Sequence, residues 1–215
     1  CKMGFIGVQP ASALLSSADI QDGQITTAKI ADTAVTTAKI TDANITSAKL
    51  GSDVIQGVTF FETMRLSSSI SGSGGDINGT FESVDTGTPA KKLISSTGMS
   101  SSSGIFTFPA TGMYLLMARM RYFADADITY SGLIIKTSND NFSSNDVEAS
   151  EGYGSWGTHS GSNNYEMIAV DFLFDCTDTS THKFKMRYTS TGSITLGNST
   201  GTNMTYVTVI RLGDT

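Results

Sequence analysis

Apolar residues recur at every fifth position from Ile20 to Ile55: Ile20, Ile25, Ile30, Val35, Ile40, Ile45, Leu50 and Ile55. Around them a phrase close to Ile-Thr-Thr-Ala-Lys-Ile returns with a ten-residue period. An α-helix advances about 100° per residue, so a spacing of five scatters these side chains around its axis. Five also fits neither heptads nor an eleven-residue repeat. A strand has period two, so it would send alternate members to opposite faces. A repeating unit with a turn inside it remains. Asp22, Asp32 and Asp42 stand at matching places and can seed that turn. One such unit cannot bury its aliphatic residues, but stacking against other chains can. Residues 19–57 are therefore predicted to form a short oligomeric shaft. Ile25, Ile30, Val35, Ile40, Ile45 and Leu50 would lie at its subunit interface. The competing reading is a flexible Thr/Ala linker. The strict spacing favours the shaft.

From Val58 onward the pattern changes to short apolar runs cut by Gly, Ser and Asp clusters. Ten strands are predicted within VTFFETMRL, GTFESV, KKLISS, GIFTF, GMYLLMARMRYF, ITYSGLIIKTS, YEMIAVDFLFDC, HKFKMRY, GSITLG and MTYVTVIRL. Many short strands with turn signals and no helical pattern predict an all-β sandwich or jelly roll. HKFKMRY alternates cleanly, which places Phe184, Met186 and Tyr188 inside and Lys183, Lys185 and Arg187 on a solvent face. The run from Gly112 differs. Tyr114, Leu116, Ala118, Met120 and Tyr122 form one apolar face, while Met113, Leu115 and Met117 form another. A strand apolar on both sides needs a second buried surface, and a subunit interface would supply it. Ser71-Gly72-Ser73-Gly74-Gly75 lacks the lysine and following helix of a phosphate loop and reads as a flexible loop.

The stretch GIFTFPATGMYLLMARMRYF resembles the signature of the complement-component-1q and tumour-necrosis-factor globular heads, through Phe106, Pro109, Gly112 and Tyr114. YVTVIRLGDT is similar to the last strand of those heads, without the usual terminal aromatic-Gly signature. The likeness covers roughly residues 58–215. It implies a ten-stranded jelly roll that assembles as a trimer and binds partners through its loops. Repeats of the form AVTTAKIAD resemble those of bacteriophage tail fibres and related appendages, marine ones above all. MGFIGVQPA is similar to the opening of such fibres, which implies virion docking through residues 1–18, with Phe5, Ile6, Val8 and Pro10 as the contacts. No Gly-X-Y stalk is present, and the repeat stands in its place. The implied organisation is an attachment segment (1–18), a decapeptide-repeat trimeric shaft (19–57) and a C-terminal jelly-roll head (58–215).

Composition and charge narrow the function. The net charge of −6 argues against a nucleic-acid partner, and Lys91-Lys92 and the Lys183–Arg187 run are too short to offset it. No stretch approaches eighteen apolar residues, so membrane insertion by a helix is not expected. Two cysteines make neither a disulfide framework nor a metal site, and Cys176 reads as a buried thiol. His159 and His182 have no companion at metal-ligand spacing, and no nucleophile elbow appears. No catalytic residue, metal or other cofactor is therefore expected. Asp125 and Asp127, with Asp140 or Asp146, could offer oxygen ligands to Ca²⁺, or they form a solvated acidic turn. Between Glu148 and Asn164 the chain reads as a recognition loop. There Tyr153, Trp156, His159, Asn163, Asn164 and Tyr165 provide aromatic faces for sugars and polar groups for hydroxyls. The alternative places Trp156 over the end of the sandwich or at a subunit contact.

Together these features predict a homotrimeric virion fibre or appendage, assembled in the host cytoplasm, that is not an enzyme. Its N-terminus would join other virion proteins of the tail, neck or capsid. Its head would adsorb to a host-surface glycan or protein. The alternative is a capsid or neck decoration fibre that stabilises the particle.

Overall fold

A computed structural model of the chain describes residues 60–84, 97–155 and 164–215, together with residue 58 and, in the repeat, residues 23, 25–36, 39, 40 and 45. The chain divides into two units, Cys1–Val54 and Ile55–Thr215. Among the described residues the second holds eleven strands: β1 (Phe60–Leu66), β2 (Ser71–Asp76), β3 (Phe81–Ser83), β4 (Ser100–Ser102), β5 (Ile105–Thr107), β6 (Gly112–Ala124), β7 (Ser131–Ser138), β8 (Val147–Gly154), β9 (Asn164–Cys176), β10 (Lys183–Leu196) and β11 (Tyr206–Gly213).

All pairings are antiparallel, and they build two facing layers. The first layer runs β3-β1-β11-β6-β9. In the second, β10 is central, with β7 then β8 along one edge, and β2 and the β5-β4 pair along the other. The layers join where the end of β10 crosses over and pairs Thr195 with Phe123 and Leu196 with Tyr122 of β6. Even-numbered residues of β6, from Tyr114 to Tyr122, are fully buried between the layers. They meet Phe184 and Met186 of β10 and Leu133 and Ile135 of β7 in one core.

The likeness to the globular heads rests on residues whose roles are visible in this core. Phe106 stacks on Phe184 with ring centroids 4.6 Å apart. Phe108 leans on Tyr114 at 4.5 Å and on Phe174 at 5.0 Å. The Tyr114 hydroxyl donates to the Ala110 carbonyl at 2.8 Å, which closes the turn carrying Pro109. Gly112 has φ = 145°, and a β-carbon there would lie 2.6 Å from Arg211 Nε and from the Gly213 carbonyl oxygen. Arg211 Nε in turn donates to Thr111 O at 3.0 Å, so the close approach belongs to the packing of β11 against β6.

Three stretches differ from the sequence expectation. The Ser/Gly stretch at 71–75 is strand β2, paired through Gly74 to Thr189 and through Gly75 to Tyr188. Its Gly72, Gly74 and Gly75 take φ from 137° to 157°, extended forms that propensity scales for side-chain-bearing residues do not represent. HKFKMRY and GSITLG are one strand, β10, with a register shift between Thr189 and Ile194 where it changes layers. Val147–Gly154 is strand β8 along the edge of the second layer, not part of a loop. The predicted strand KKLISS lies outside the described residues.

In the repeat, Lys29 N donates to Thr26 O, Ala34 N to Ala31 O and Lys39 N to Thr36 O, each at 2.9 Å. These are i→i+3 turns repeated at a spacing of five. The first carries a 3-10 turn at Thr27–Lys29. Thr33 takes φ = 65° and Gly23, ten residues earlier, φ = 79°. Ile25, Ile30, Val35, Ile40 and Ile45 are exposed on the single chain.

Candidate functional site

The two outward faces of the head are chemically different. On the first layer, strand register aligns outward residues into rows. One row runs Phe61, Ile210, Leu115, Leu173 across β1, β11, β6 and β9. All four are apolar. The next row runs Thr63, Thr208, Met117, Asp171, with the two threonine hydroxyls 2.8 Å apart. The third runs Arg65, Tyr206, Arg119, Ala169. Arg119 pairs diagonally with Asp171 at 2.7 Å, and the Arg121 guanidinium lies 4.4 Å from the centroid of the Tyr165 ring. Met113, Leu115 and Met117, predicted for a subunit interface, all lie on this face and are partly exposed. So does Leu173, at 56% exposure, a residue that the sequence pattern places only within a strand. Its outward direction follows from register with Leu115 and is invisible in a run as apolar as IAVDFLF.

On the second layer the face is polar. Lys183, Lys185 and Arg187 of β10 do point outward, opposite Phe184, Met186 and Tyr188, which are buried. The lysines are not solvated as predicted. Lys185 Nζ lies 3.0 Å from Asp76 and 3.2 Å from Asp146, under the Phe142 ring. Lys136 bonds the other oxygen of Asp146 at 2.9 Å. The cause is the loop after β7, which folds back over the sheet. Burial works to raise the Asp146 carboxyl, but the two ammonium groups outweigh it and hold the pKa below the usual value. Lys183 donates to Thr107 Oγ1 and Thr179 O.

That loop is knotted around Asp140. Its carboxylate accepts from Ser138 Oγ at 2.7 Å, Ser144 Oγ at 2.6 Å, and the backbone N–H groups of Ser143, Ser144 and Asn145. The Ser144 and Ser138 hydroxyl bonds lead in lowering its pKa to about 2. Two of the four carboxylates proposed for Ca²⁺ are therefore engaged elsewhere, Asp140 within its own loop and Asp146 with two lysines. Among the described residues no group of three or more His, Cys, Asp or Glu side chains converges as a metal site would. Cys176 is a buried free thiol, and desolvation pushes its pKa up to about 11. A cavity of about 270 Å³ at one end of the sandwich is lined by Asn139, Asn145, Phe172, Leu173 and His182, among others. His182 there has its ring nitrogens 3.3 Å from the Thr177 and Thr181 hydroxyls.

Of the predicted recognition residues, Tyr153 and Tyr165 are placed with their side chains. Both are more than half exposed. Tyr153 points out from the second layer, because its neighbour Gly152 faces Ile168 and Val170 inside. Tyr165 points out from the first layer, in register with Phe123. The two rings thus face opposite sides of the sandwich rather than sharing one loop surface. Asn164 opens β9, while Trp156, His159 and Asn163 lie outside the described residues. Leu50, Phe5, Ile6, Val8 and Pro10 also lie outside them.

This two-layer arrangement has solved counterparts. The tumour-necrosis-factor domain Eiger from S. frugiperda superposes with a TM-score of 0.51 at 10% identity, covering 73% of this chain and 95% of that one. The head has a tumour-necrosis-factor-like jelly-roll fold. Murine APRIL at pH 5.0 is also similar, with a TM-score of 0.49, 12% identity, and 71% of this chain and 98% of that one covered. No protein-family model matches the sequence, and no curated protein does. At these identities the likeness of the head extends to the fold alone.

Proposed function

We propose that the protein is a homotrimeric, non-enzymatic virion fibre of a bacteriophage, displaying its jelly-roll head for adsorption to a host surface. The observation that carries the assembly is the apolar row Phe61-Ile210-Leu115-Leu173 on an outward sheet face. A row of that kind on a monomer leaves large side chains in water, and three copies packed by this face cover them. The ion pair Arg119–Asp171 beside the row sets register more than affinity. The exposed aliphatic residues Ile25, Ile30, Val35, Ile40 and Ile45 support a trimeric shaft, and the likeness of AVTTAKIAD to phage fibres supports the virion setting. Residues 1–18 attach the fibre to the particle. Three heads on one axis, and several fibres per virion, turn weak single sites into firm attachment through multivalency.

The second reading, a decoration fibre that stabilises the particle, is favoured by the shortness of the repeat. One experiment separates them. The full chain is passed over immobilised bacterial surface polysaccharides and envelope fractions, and the effluent is assayed for new reducing ends. Retention without new ends is the expected result. No retention on any surface would favour decoration, and new reducing ends would make the protein a depolymerase.

A further inference from the structure

The second layer's outward face has a feature that neither the trimer nor the fold uses. Tyr153 of β8 pairs with Gly132 of β7, which pairs with Thr189 of β10, which pairs with Gly74 of β2. Both positions flanking Thr189 lack side chains, so this row is a flat floor. The Tyr153 ring lies across Gly132: a β-carbon there would sit 2.5 Å from Cε1 and 2.6 Å from Cδ1 of the ring. Thr189 Cγ2 lies 3.1 Å from the same point, so ring and methyl share the space above the glycine. Tyr130 meets Tyr153 edge-on, with centroids 5.9 Å apart and planes at 71°.

The platform is held rather than loose. The Tyr153 hydroxyl donates to Glu151 at 3.0 Å, which raises its pKa. The backbone of Tyr130 is pinned to β10 by Thr191 N donating to its carbonyl at 3.1 Å. Yet Tyr153 is 53% and Tyr130 41% exposed. Large aromatic surface fixed in place and left wet is costly unless something covers it.

The row beside it supplies polar partners. It runs Glu151, Ile134, Arg187, Asp76. Asp76 is taken by Lys185, and Arg187 makes no hydrogen bond or ion pair among the described residues. An aromatic ring on a glycine floor, with a carboxylate, an unengaged guanidinium and a threonine hydroxyl at its rim, matches one ligand chemistry. The C–H face of a pyranose stacks on the ring, and its equatorial hydroxyls bond Arg187 and Glu151. Glu151 at the rim, with Asp76 and Glu148 nearby, disfavours an anionic sugar.

We propose that Tyr153, Tyr130, Thr189, Arg187 and Glu151 form a subsite for one neutral pyranose unit of a surface glycan. This deepens the adsorption reading and rests on it. It puts three sugar subsites on the outside of the trimer, away from the interface face.

Saturation-transfer NMR on the full chain with methyl glucopyranoside, methyl galactopyranoside and methyl N-acetylglucosaminide, each as a neutral probe, tests the site. At least one probe is expected to receive saturation on its ring C–H protons. Tyr153→Ala should weaken that probe's binding about tenfold or more, the scale seen when a stacked ring is removed. Phe142→Ala, over Lys185 at the covered end of the same face, should leave it unchanged. Circular dichroism and light scattering on both variants separate loss of the site from loss of the fold. Absence of transfer to all three probes, or transfer that survives Tyr153→Ala, would overturn the subsite. If the chain is still retained on envelope fractions in that case, adsorption stands through another surface, such as a protein receptor. Probe transfer that needs Tyr153 in a chain retained by no host surface would leave the subsite standing and the adsorption reading refuted.

Discussion

Asp140 shows how a residue's chemistry follows from neighbours that the sequence does not mark. Read along the chain it was an acidic turn residue or a candidate calcium ligand. In the folded loop it accepts five hydrogen bonds and its pKa falls to about 2 from an ordinary 3.8. A depressed carboxyl contributes stability that is full above the unfolded value and is lost as pH falls through the folded one. Asp140→Ala should therefore lower the thermal midpoint at neutral pH, with the gap closing between about pH 4 and pH 2. Melting curves of both proteins across that range check this, and a gap independent of pH would contradict it. Gly112 is the opposite case. Its role was legible, because a glycine at that point of the FPATGMY phrase carries the likeness to the globular heads, and the structure supplies the reason in Arg211 and Gly213.

Among the elements, those with side-chain periodicity were readable and those without it were not. β6 alternates perfectly between buried and partly exposed positions, and both of its faces were assigned from the sequence. β2 has only Ser, Gly and Asp, so its pairing is a property of the backbone and of β10 beside it. β8 reads VEASEGYG, without an apolar alternation strong enough to separate it from the loop that follows. The repeat lies between these cases. Its spacing of five excluded regular elements, and the described residues place a backbone turn in three successive pentads. Its described aliphatic residues, Ile25, Ile30, Val35, Ile40 and Ile45, are exposed on one chain. Covering one such side chain contributes about 1.5–3 kcal/mol. Replacing Ile30 and Ile40 together by Asp is thus predicted to open the repeat to limited proteolysis while the head remains resistant. An unchanged digestion pattern would show that these side chains are not covered and that the segment is a free linker.

At the scale of the whole molecule, the head displays three chemically distinct surfaces. The first layer offers one aligned apolar row beside the Arg119–Asp171 ion pair, suited to a second and third copy of itself. The second layer is covered at one end by the loop around Asp140 and the lysine–carboxylate network, and is left open at the other around Tyr153. The cavity by His182 lies at one end of the sandwich, with Leu173 of the first layer's outward face on its rim. This division separates two of the recognition residues gathered from the sequence. Tyr153 and Tyr165 are twelve residues apart in the chain, but they leave the sandwich in opposite directions, one outward and one toward the proposed interface. On that view Tyr165, under the Arg121 guanidinium, serves assembly, and Tyr153 serves recognition.

The central claim is that the first layer's outward face is a trimer interface, and solution mass tests it most directly. Light scattering on the purified full chain should give three times 22.7 kDa, and Leu115→Asp, which places a charge in the middle of the apolar row, should shift the particle toward one chain. A wild-type mass of 22.7 kDa would contradict the account.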